Sequence, residues 1–118
     1  MAEWRVLLVE DDRQVGDLLR IALMAAGYAV EWVTTAETAR RHVETTPYDV
    51  VVADWRLDGE DGMAVVGQAA DLGIKTIVIS GYLFQLSDAD DRHEYLMKPM
   101  RPNELIDVIE RLLGPAQT

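Results

Sequence analysis

The sequence predicts an α/β fold built on a doubly wound, five-stranded parallel sheet. Short apolar runs such as Val50–Ala53 lack alternation of polar and apolar residues, which is typical of strands buried on both faces of a parallel sheet. Segments whose apolar residues recur every three to four positions lie between these runs and are typical of amphipathic helices. Because strands that alternate with helices are joined by right-handed crossovers, this order favours helices on both faces of the sheet.

The composition fits one globular domain. A chain of 118 residues can form a single core. The 21 acidic residues outnumber the 11 Lys and Arg residues, and the net charge of −10 disfavours binding to nucleic acid or anionic lipid. The absence of cysteine excludes disulfides, a thiol nucleophile and a cysteine-based metal site. With no long apolar segment, the chain is expected to be a cytoplasmic single domain over residues 1–118, without an output domain and without a nucleic-acid or membrane partner.

Five segments are predicted to be strands from their apolar runs and the turn residues that bound them. They are Arg5–Val9, Val30–Val33, Asp49–Asp54, Lys75–Ser80 and Glu94–Met97. The segment between the last two strands is polar and has no core-facing period, so the fourth helix is expected to be reduced or irregular. A short helical turn capped by Ser87 is an alternative for this segment.

The other four helices are predicted from apolar periodicity and from residues typical of helix ends. Thr34 and Glu37 have the spacing of a capping box, which predicts that the second helix begins directly after Thr34. Pro102 suits the first position of the last helix. The first and third helices are expected to begin near Arg13 and Gly62, and Gly27 and Gly114 are expected to end the first and the last.

Polar residues follow the predicted strands at the points where the strands end. Asp11 and Asp12 follow the first strand, Asp54 ends the third, Ser80 ends the fourth and Lys98 follows the fifth. Because the C-terminal ends of parallel strands share one edge of the sheet, these side chains are expected to lie close together. Three crowded carboxylates repel one another, and Mg²⁺ is a cation that prefers oxygen ligands. One Mg²⁺ together with Lys98 would balance the three carboxylates, which favours phosphoryl transfer to a carboxylate.

Each of these residues also has an ordinary structural interpretation when it is taken alone. Asp12 directly before a helix is commonly an N-cap, and Asp54 could bind loop amides. Ser80 is unremarkable at the end of a strand, and Lys98 is commonly a solvated charge. The functional interpretation therefore depends on all of them occurring together at the expected strand ends.

These residues resemble the motifs of a response-regulator receiver domain of two-component signalling. The resemblance is carried by Val6–Asp12, Asp54 with Leu57 and Gly62, Ser80–Gly81 and Tyr95–Pro99. It covers essentially the whole chain and implies a flavodoxin-like sheet with the strand order 2-1-3-4-5. The reduced fourth helix is similar to that of a subset of receivers, and the bond between Lys98 and Pro99 is implied to be cis.

The resemblance implies that Asp54 accepts a phosphoryl group. The donor would be a phosphohistidine on a sensor histidine kinase or a histidine phosphotransfer protein. The implied cofactor is Mg²⁺, held by Asp11, Asp12, Asp54 and the backbone carbonyl of Arg56. Lys98 and Ser80 would each contact a phosphoryl oxygen.

The resemblance also implies a switch formed by Ser80 and Tyr95, which biases the domain between two states when the charge at the site changes. Partner binding would change through Tyr95 and the segment Tyr82–His93, which is expected to be mobile and to be ordered or redirected by phosphorylation. Arg56 and Tyr82 match positions that influence phosphate lifetime in this family. The sequence does not identify the downstream protein partner.

Two other functions fit part of the pattern. One is a Mg²⁺-dependent phosphohydrolase with an aspartyl-phosphate intermediate, which is disfavoured because the position two residues after Asp54 is Arg56 rather than an acid and no substrate-binding cap is recognisable. The other is a phosphorylation-independent binding module, which the presence of all the site residues disfavours. The chain is therefore expected to act as a switch and not as an enzyme, apart from self-dephosphorylation.

The histidines and tryptophans are expected to have structural or solvated positions. His42 and His93 are isolated in the sequence, which favours exposed surface positions. Trp4 and Trp32 are expected to pack against the core. Trp55 directly follows Asp54, so its fluorescence is expected to report on metal or beryllofluoride binding.

Overall fold

The strands form one main sheet and one small hairpin. The computed structural model describes residues 3–57, 60–81 and 91–115. Its strands are β1 (Arg5–Val9), β2 (Ala29–Val33), β3 (Val50–Asp54), β4 (Arg56–Leu57), β5 (Glu60–Asp61), β6 (Lys75–Ser80) and β7 (Glu94–Met97). Five of them form a parallel sheet in the order β2-β1-β3-β6-β7, while β4 and β5 pair in antiparallel fashion. The predicted order 2-1-3-4-5 is confirmed, because β6 and β7 are the fourth and fifth predicted strands; the hairpin was not predicted.

Four helices of the described residues cover both faces of the main sheet. They are α1 (Arg13–Ala25), α2 (Ala36–Thr45), α3 (Gly62–Asp71) and α4 (Pro102–Leu113). Buried residues of α1 and α4 share one apolar cluster with alternate residues of the central strands, and those of α2 and α3 share the other. No helix among the described residues is long and apolar enough to cross a membrane. The expected fourth helix, its alternative capped by Ser87, and residues 82–90 of the expected mobile segment lie outside the described residues.

Strand β3 contributes residues to the apolar clusters on both faces of the sheet. Residues Val50–Val52 are completely buried, and Ala53 is nearly so. Val50 and Val52 lie in the cluster under α1 and α4, whereas Val51 and Ala53 lie in the cluster under α2 and α3. A continuous apolar run is required for a strand that is covered on both faces.

The start of α2 differs from the expected capping box by one residue. Thr35, not Thr34, is the N-cap, and its hydroxyl oxygen accepts a hydrogen bond from the backbone N–H of Thr38 at 3.2 Å. Thr35 has the extended backbone that an N-cap requires, while Thr34 lies between it and the end of β2. Glu37 lies in the first turn, where its charge favours the helix dipole.

The predicted surface position of His93 was wrong. Its exposed fraction is only 6%, and its ring Nδ1 is hydrogen-bonded to the hydroxyl of the buried Thr76. The Thr76 hydroxyl also donates to the backbone carbonyl of Arg92 at 3.3 Å. His93 is the last residue before β7, so the return of the chain into the sheet buries it although its neighbours in sequence are polar. His42 is half-buried and hydrogen-bonded to the hydroxyl of Tyr48 at 3.0 Å.

Candidate functional site

The candidate site lies at the C-terminal ends of the central strands. Asp54 is the last residue of β3, and only 8% of it is exposed. The backbone N–H of Trp55 donates to the carbonyl of Ile79 at 2.8 Å, so pairing of β3 with β6 continues past Asp54. These backbone bonds hold the Asp54 carboxylate at the rim of the sheet.

Lys98 contacts the Asp54 carboxylate directly. Its Nζ donates to Asp54 Oδ2 at 2.6 Å, and its backbone N–H donates to the carbonyl of Ser80 at 2.9 Å. Burial by itself lowers the pKa of Lys98, but the hydrogen bond to Asp54 and the charges of Glu10, Asp54 and Asp11 outweigh burial and raise the pKa. Lys98 is therefore a cation held against Asp54. The peptide bond from Lys98 to Pro99 is cis, as the resemblance implied.

Glu10 and Asp11 complete a cluster of carboxylates with Asp54. One carboxylate oxygen from each residue lies within 4.8 Å of the others. Glu10 is 2% exposed, and burial is the main cause that raises its pKa to about 7, with contributions from the neighbouring Asp54 and Asp11. The backbone N–H of Asp12, at 3.2 Å from Glu10 Oε2, and Lys98 Nζ, at 3.7 Å from Glu10 Oε1, oppose this rise. The site therefore brings three carboxyl groups together, two of them nearly buried.

The structure corrects the predicted pairing of Asp11 with Asp12. Asp12 is the N-cap of α1, and its Oδ1 accepts hydrogen bonds from the N–H groups of Gln14 at 2.9 Å and Val15 at 3.2 Å. The chain turns into α1 directly after Asp11, so the unpaired N–H groups of the first turn bind the Asp12 carboxylate. Glu10, which was not predicted to be a site residue, lies in the carboxylate cluster in the place expected for Asp12. Glu10 directly follows the buried apolar run of β1, and this position in the sequence could have identified it as a site residue.

The cluster fits a magnesium ion by the chemistry of its ligands. Glu10, Asp11 and Asp54 offer only carboxylate oxygens, which are the protein ligands that Mg²⁺ prefers. A divalent cation would also favour the ionised form of Glu10, whose pKa burial raises. The backbone of Arg56 lies beside this cluster, since its N–H donates to Asp54 Oδ1 at 3.3 Å.

The remaining predicted site residues are Ser80, Tyr95, Arg56 and Tyr82. Ser80 is buried at the end of β6 and is paired in register with Met97 on β7. Tyr95 is partly buried against the cluster under α2 and α3, and its ring meets the ring of His93 edge-on at 6.3 Å. The Arg56 guanidinium lies over the Trp55 ring at 5.5 Å from the ring centroid. Tyr82 lies outside the described residues.

Gly62 permits the close approach of α3 to the end of β3. A Cβ at this position would lie 1.9 Å from the backbone oxygen of Asp54 and 3.2 Å from that of Trp55. The Gly62 N–H also donates to the Trp55 carbonyl at 3.0 Å. Gly62 is therefore part of the support of Asp54, whereas the sequence indicated it only as part of a motif and as a helix start.

The fold and this site together define the receiver class of signalling domains. A doubly wound sheet of order 2-1-3-4-5 brings one nearly buried Asp, two further carboxylates and a Lys to the same strand ends. The family model described as "Response regulator receiver domain" matches residues 6–110, and the chain belongs to this family.

Known proteins similar to this chain include both receivers and longer regulators. The "Uncharacterized transcriptional regulatory protein YbdJ" of Bacillus subtilis is 34% identical over 113 residues, covering 90% of this chain and 49% of that protein. The chain spans about half the length of the curated relatives it matches.

Two solved structures extend the similarity to the fold. The response regulator TrrA of Thermotoga maritima, determined with Mg²⁺ and beryllofluoride, has a TM-score of 0.83 and 27% identity, covering 93% of this chain and 99% of TrrA. A CheY-like receiver domain of Methanospirillum hungatei has a TM-score of 0.81 and 29% identity, covering 93% of both chains. These similarities confirm the predicted receiver class and its flavodoxin-like fold.

Proposed function

We propose that this domain is a phosphorylation-dependent switch that accepts a phosphoryl group on Asp54 from a sensor histidine kinase or a histidine phosphotransfer protein. The observation that carries the proposal is the Lys98 Nζ at 2.6 Å from the nearly buried Asp54, beside two further carboxylates. In the step, an Asp54 oxygen forms a bond to phosphorus while the bond from phosphorus to the donor imidazole nitrogen breaks. The products are an aspartyl phosphate and a free histidine.

We propose that some residues of the site bind the metal ion and that others bind the phosphoryl group. Glu10, Asp11 and Asp54, with the backbone carbonyl of Arg56, would hold the Mg²⁺, which would neutralise charge on the phosphoryl oxygens. Lys98 would change partner from the Asp54 carboxylate to a phosphoryl oxygen, and the Ser80 hydroxyl would bind another. Asp12 has no part in the proposed metal set, because its carboxylate caps α1.

The proposed output follows from the charge change at Asp54. Ser80 and Lys98 are joined by a backbone hydrogen bond, and Tyr95 lies two residues before Met97, the partner of Ser80 in register. A movement of Ser80 toward the phosphoryl group would therefore act on β7 and on Tyr95. We propose that this movement and the segment after β6 alter the binding of a protein partner.

An apolar surface beside the site supports a protein as the phosphoryl donor. Leu18, Ile21 and Met24 of α1 are each more than half exposed. A groove of about 400 Å³ continues from this surface and is lined by apolar residues of α1 and of the chain after β7, together with Glu10 and Lys98 of the site. A protein docked on this surface would place its phosphohistidine near Asp54.

The substitution Leu18→Glu tests whether this surface binds the donor. We expect transfer from the partner kinase to become at least about tenfold slower, because a charge enters the apolar contact. Phosphorylation by acetyl phosphate should be unchanged, since this small donor needs no docking. Leu72→Glu is the matched control because Leu72 is 60% exposed, compared with 57% for Leu18, but does not line the groove. Equal kinase rates for the two variants would contradict the docking surface.

Labelling of the wild-type domain tests the proposed chemistry. Acetyl phosphate with Mg²⁺ should give a protein-bound phosphate that hydroxylamine removes, as expected for an acyl phosphate, and a chelator should prevent its formation. Absence of label would favour the phosphorylation-independent binding module. Steady turnover of a phosphate ester would favour the phosphohydrolase instead. A survey of histidine kinases and phosphotransfer proteins would then identify the donor.

The output in a longer protein is a separate proposal. The relative YbdJ is described as a transcriptional regulatory protein, and the present chain matches about half of it. We propose control of transcription as the output of a longer protein that contains this domain. The net charge of −10 supports protein partners rather than DNA as the direct contacts of the domain itself.

A further inference from the structure

We infer that Trp32 is a positioning residue that holds the acidic turn Glu10–Asp12 in the geometry needed to bind a divalent cation. The inference assigns a task to a residue that the sequence predicted only to pack, and the role of the cation in it rests on the proposed function. Trp32 lies on β2 beside Leu8 of β1, and its indole Nε1–H donates to the backbone carbonyl of Glu10 at 2.9 Å.

Glu10 is held by β2 through both of its backbone groups. Its N–H donates to the carbonyl of Val33 at 3.1 Å, while its carbonyl accepts from the Trp32 indole. The first bond is available to any residue at position 33, but the second requires an indole at position 32 or another side-chain donor of the same reach. The Trp32 side chain therefore determines the direction of the peptide that leads from Glu10 to Asp11.

The opposite end of the turn is held by the same indole ring. A Cβ at Gly16 would lie 2.2 Å from Cε2 and Cζ2 of Trp32, so the ring occupies the space beside the first turn of α1. The Gly16 N–H donates to the backbone carbonyl of Asp12 at 2.8 Å, and the Asp12 carboxylate caps the helix. Trp32 thus contacts α1 and binds Glu10 at the same time.

Asp11 lies between these two supported residues. Asp11 has a carboxylate oxygen within 4.8 Å of those of Glu10 and Asp54, and the backbone on either side of it is hydrogen-bonded. Residues that orient metal ligands commonly change metal affinity by about 10- to 100-fold when they are replaced. Loss of the indole N–H should therefore be seen in the binding of the metal itself.

The test compares Trp32→Phe with Trp4→Phe in the full chain. Trp4 is the matched control because it is also partly buried and its Nε1–H also donates to a backbone carbonyl, that of Pro115 at 3.0 Å, outside the site. Mg²⁺ binding is measured by calorimetry, and amide hydrogen exchange is followed at Asp12 and Gly16. We expect Trp32→Phe to weaken Mg²⁺ binding about tenfold and to speed exchange at both amides, and Trp4→Phe to change neither.

Phosphorylation gives a further readout that loss of stability alone would not produce. Labelling of Trp32→Phe by acetyl phosphate should require about tenfold more Mg²⁺ and should recover at saturating Mg²⁺. If the wild type binds Mg²⁺ but Trp32→Phe and Trp4→Phe have the same Mg²⁺ affinity, with or without faster exchange in Trp32→Phe, the inference is overturned. Should Trp32→Phe fail to fold, Gly16→Ala displaces the ring while retaining the indole, and it should weaken Mg²⁺ binding in the same way.

If the proposed function is wrong, the experiments give a different result. In that case the wild-type domain would show neither Mg²⁺ binding nor acyl phosphate, whatever residue occupies position 32. The role of Trp32 in cation binding then fails with the proposed function, and amide exchange tests only whether Trp32 holds the turn. Faster exchange at Asp12 and Gly16 in Trp32→Phe, but not in Trp4→Phe, supports it, and equal exchange in both variants overturns it.

Discussion

Asp54→Asn is expected to abolish phosphorylation completely. The amide has no carboxylate oxygen to attack phosphorus, and it removes the anionic partner that Lys98 Nζ contacts at 2.6 Å. Labelling by acetyl phosphate and by the partner kinase should both fall to background. Beryllofluoride with Mg²⁺ should change tryptophan fluorescence in the wild type, because Trp55 adjoins Asp54, and should have no effect in the variant. Circular dichroism would show whether the variant retains the fold.

The neighbouring acids supply controls for this prediction and for the assignment of the metal set. Asp11→Asn should strongly weaken Mg²⁺ binding and labelling, since Asp11 belongs to the cluster with Glu10 and Asp54. Asp12→Asn should leave both nearly unchanged, because Asn is as good an N-cap as Asp. Equal loss in the two variants would contradict the structure and favour the pairing of Asp11 with Asp12 that was predicted from sequence.

Gly62→Ala is expected to destabilise the domain by about 3 kcal/mol and to impair phosphorylation. The added methyl group would lie 1.9 Å from the Asp54 backbone oxygen, and no flexible side chain could move to relieve this contact. Either α3 shifts away from β3 or Asp54 is displaced, and both changes disturb the site. The free energy of unfolding from urea titration and the rate of labelling measure the two effects.

Gly67→Ala provides the matched control in the same helix. A Cβ at Gly67 would have no neighbour within 4 Å, so the substitution tests only the helix propensity of alanine against glycine. That preference should stabilise the domain by about 0.5–1 kcal/mol and leave labelling unchanged. A Gly62→Ala variant as stable as the wild type would show that α3 can move away from Asp54 without cost.

The predictable part of the fold follows from local patterns with a direct physical cause. The run Val50–Ala53 has no polar residue, which is typical of a strand covered on both faces, and the structure buries it in this way. Pro102 and the apolar positions Leu105 and Ile109 likewise predicted α4, which the structure confirms. The parallel arrangement then predicts Asp54 and Lys98 at one edge of the sheet, where the structure places them in contact.

The predictions that differ from the structure concern side chains that could contact any of several neighbours, which the sequence does not distinguish. Three consecutive acids follow β1, and their order does not reveal which two face Asp54 and which one binds the helix N–H groups. The exact residue at which α1 begins decides this, and it makes Asp12 a cap and Glu10 a member of the cluster. His93 is similar, because its burial depends on Thr76, a partner 17 positions away in the chain.

The sequence by itself determined the receiver fold, the strand order and the positions of Asp54, Asp11 and Lys98 at the strand ends. The elements follow from apolar periodicity within short segments, and the parallel sheet follows from their alternation. The receiver fold and the strand order follow from the resemblance of the motifs to that family. The tertiary structure decided the role of Glu10, the need for glycine at position 62 and the contact of Trp32 with both ends of the acidic turn. Those features depend on distances between residues far apart in the chain, which only packing establishes.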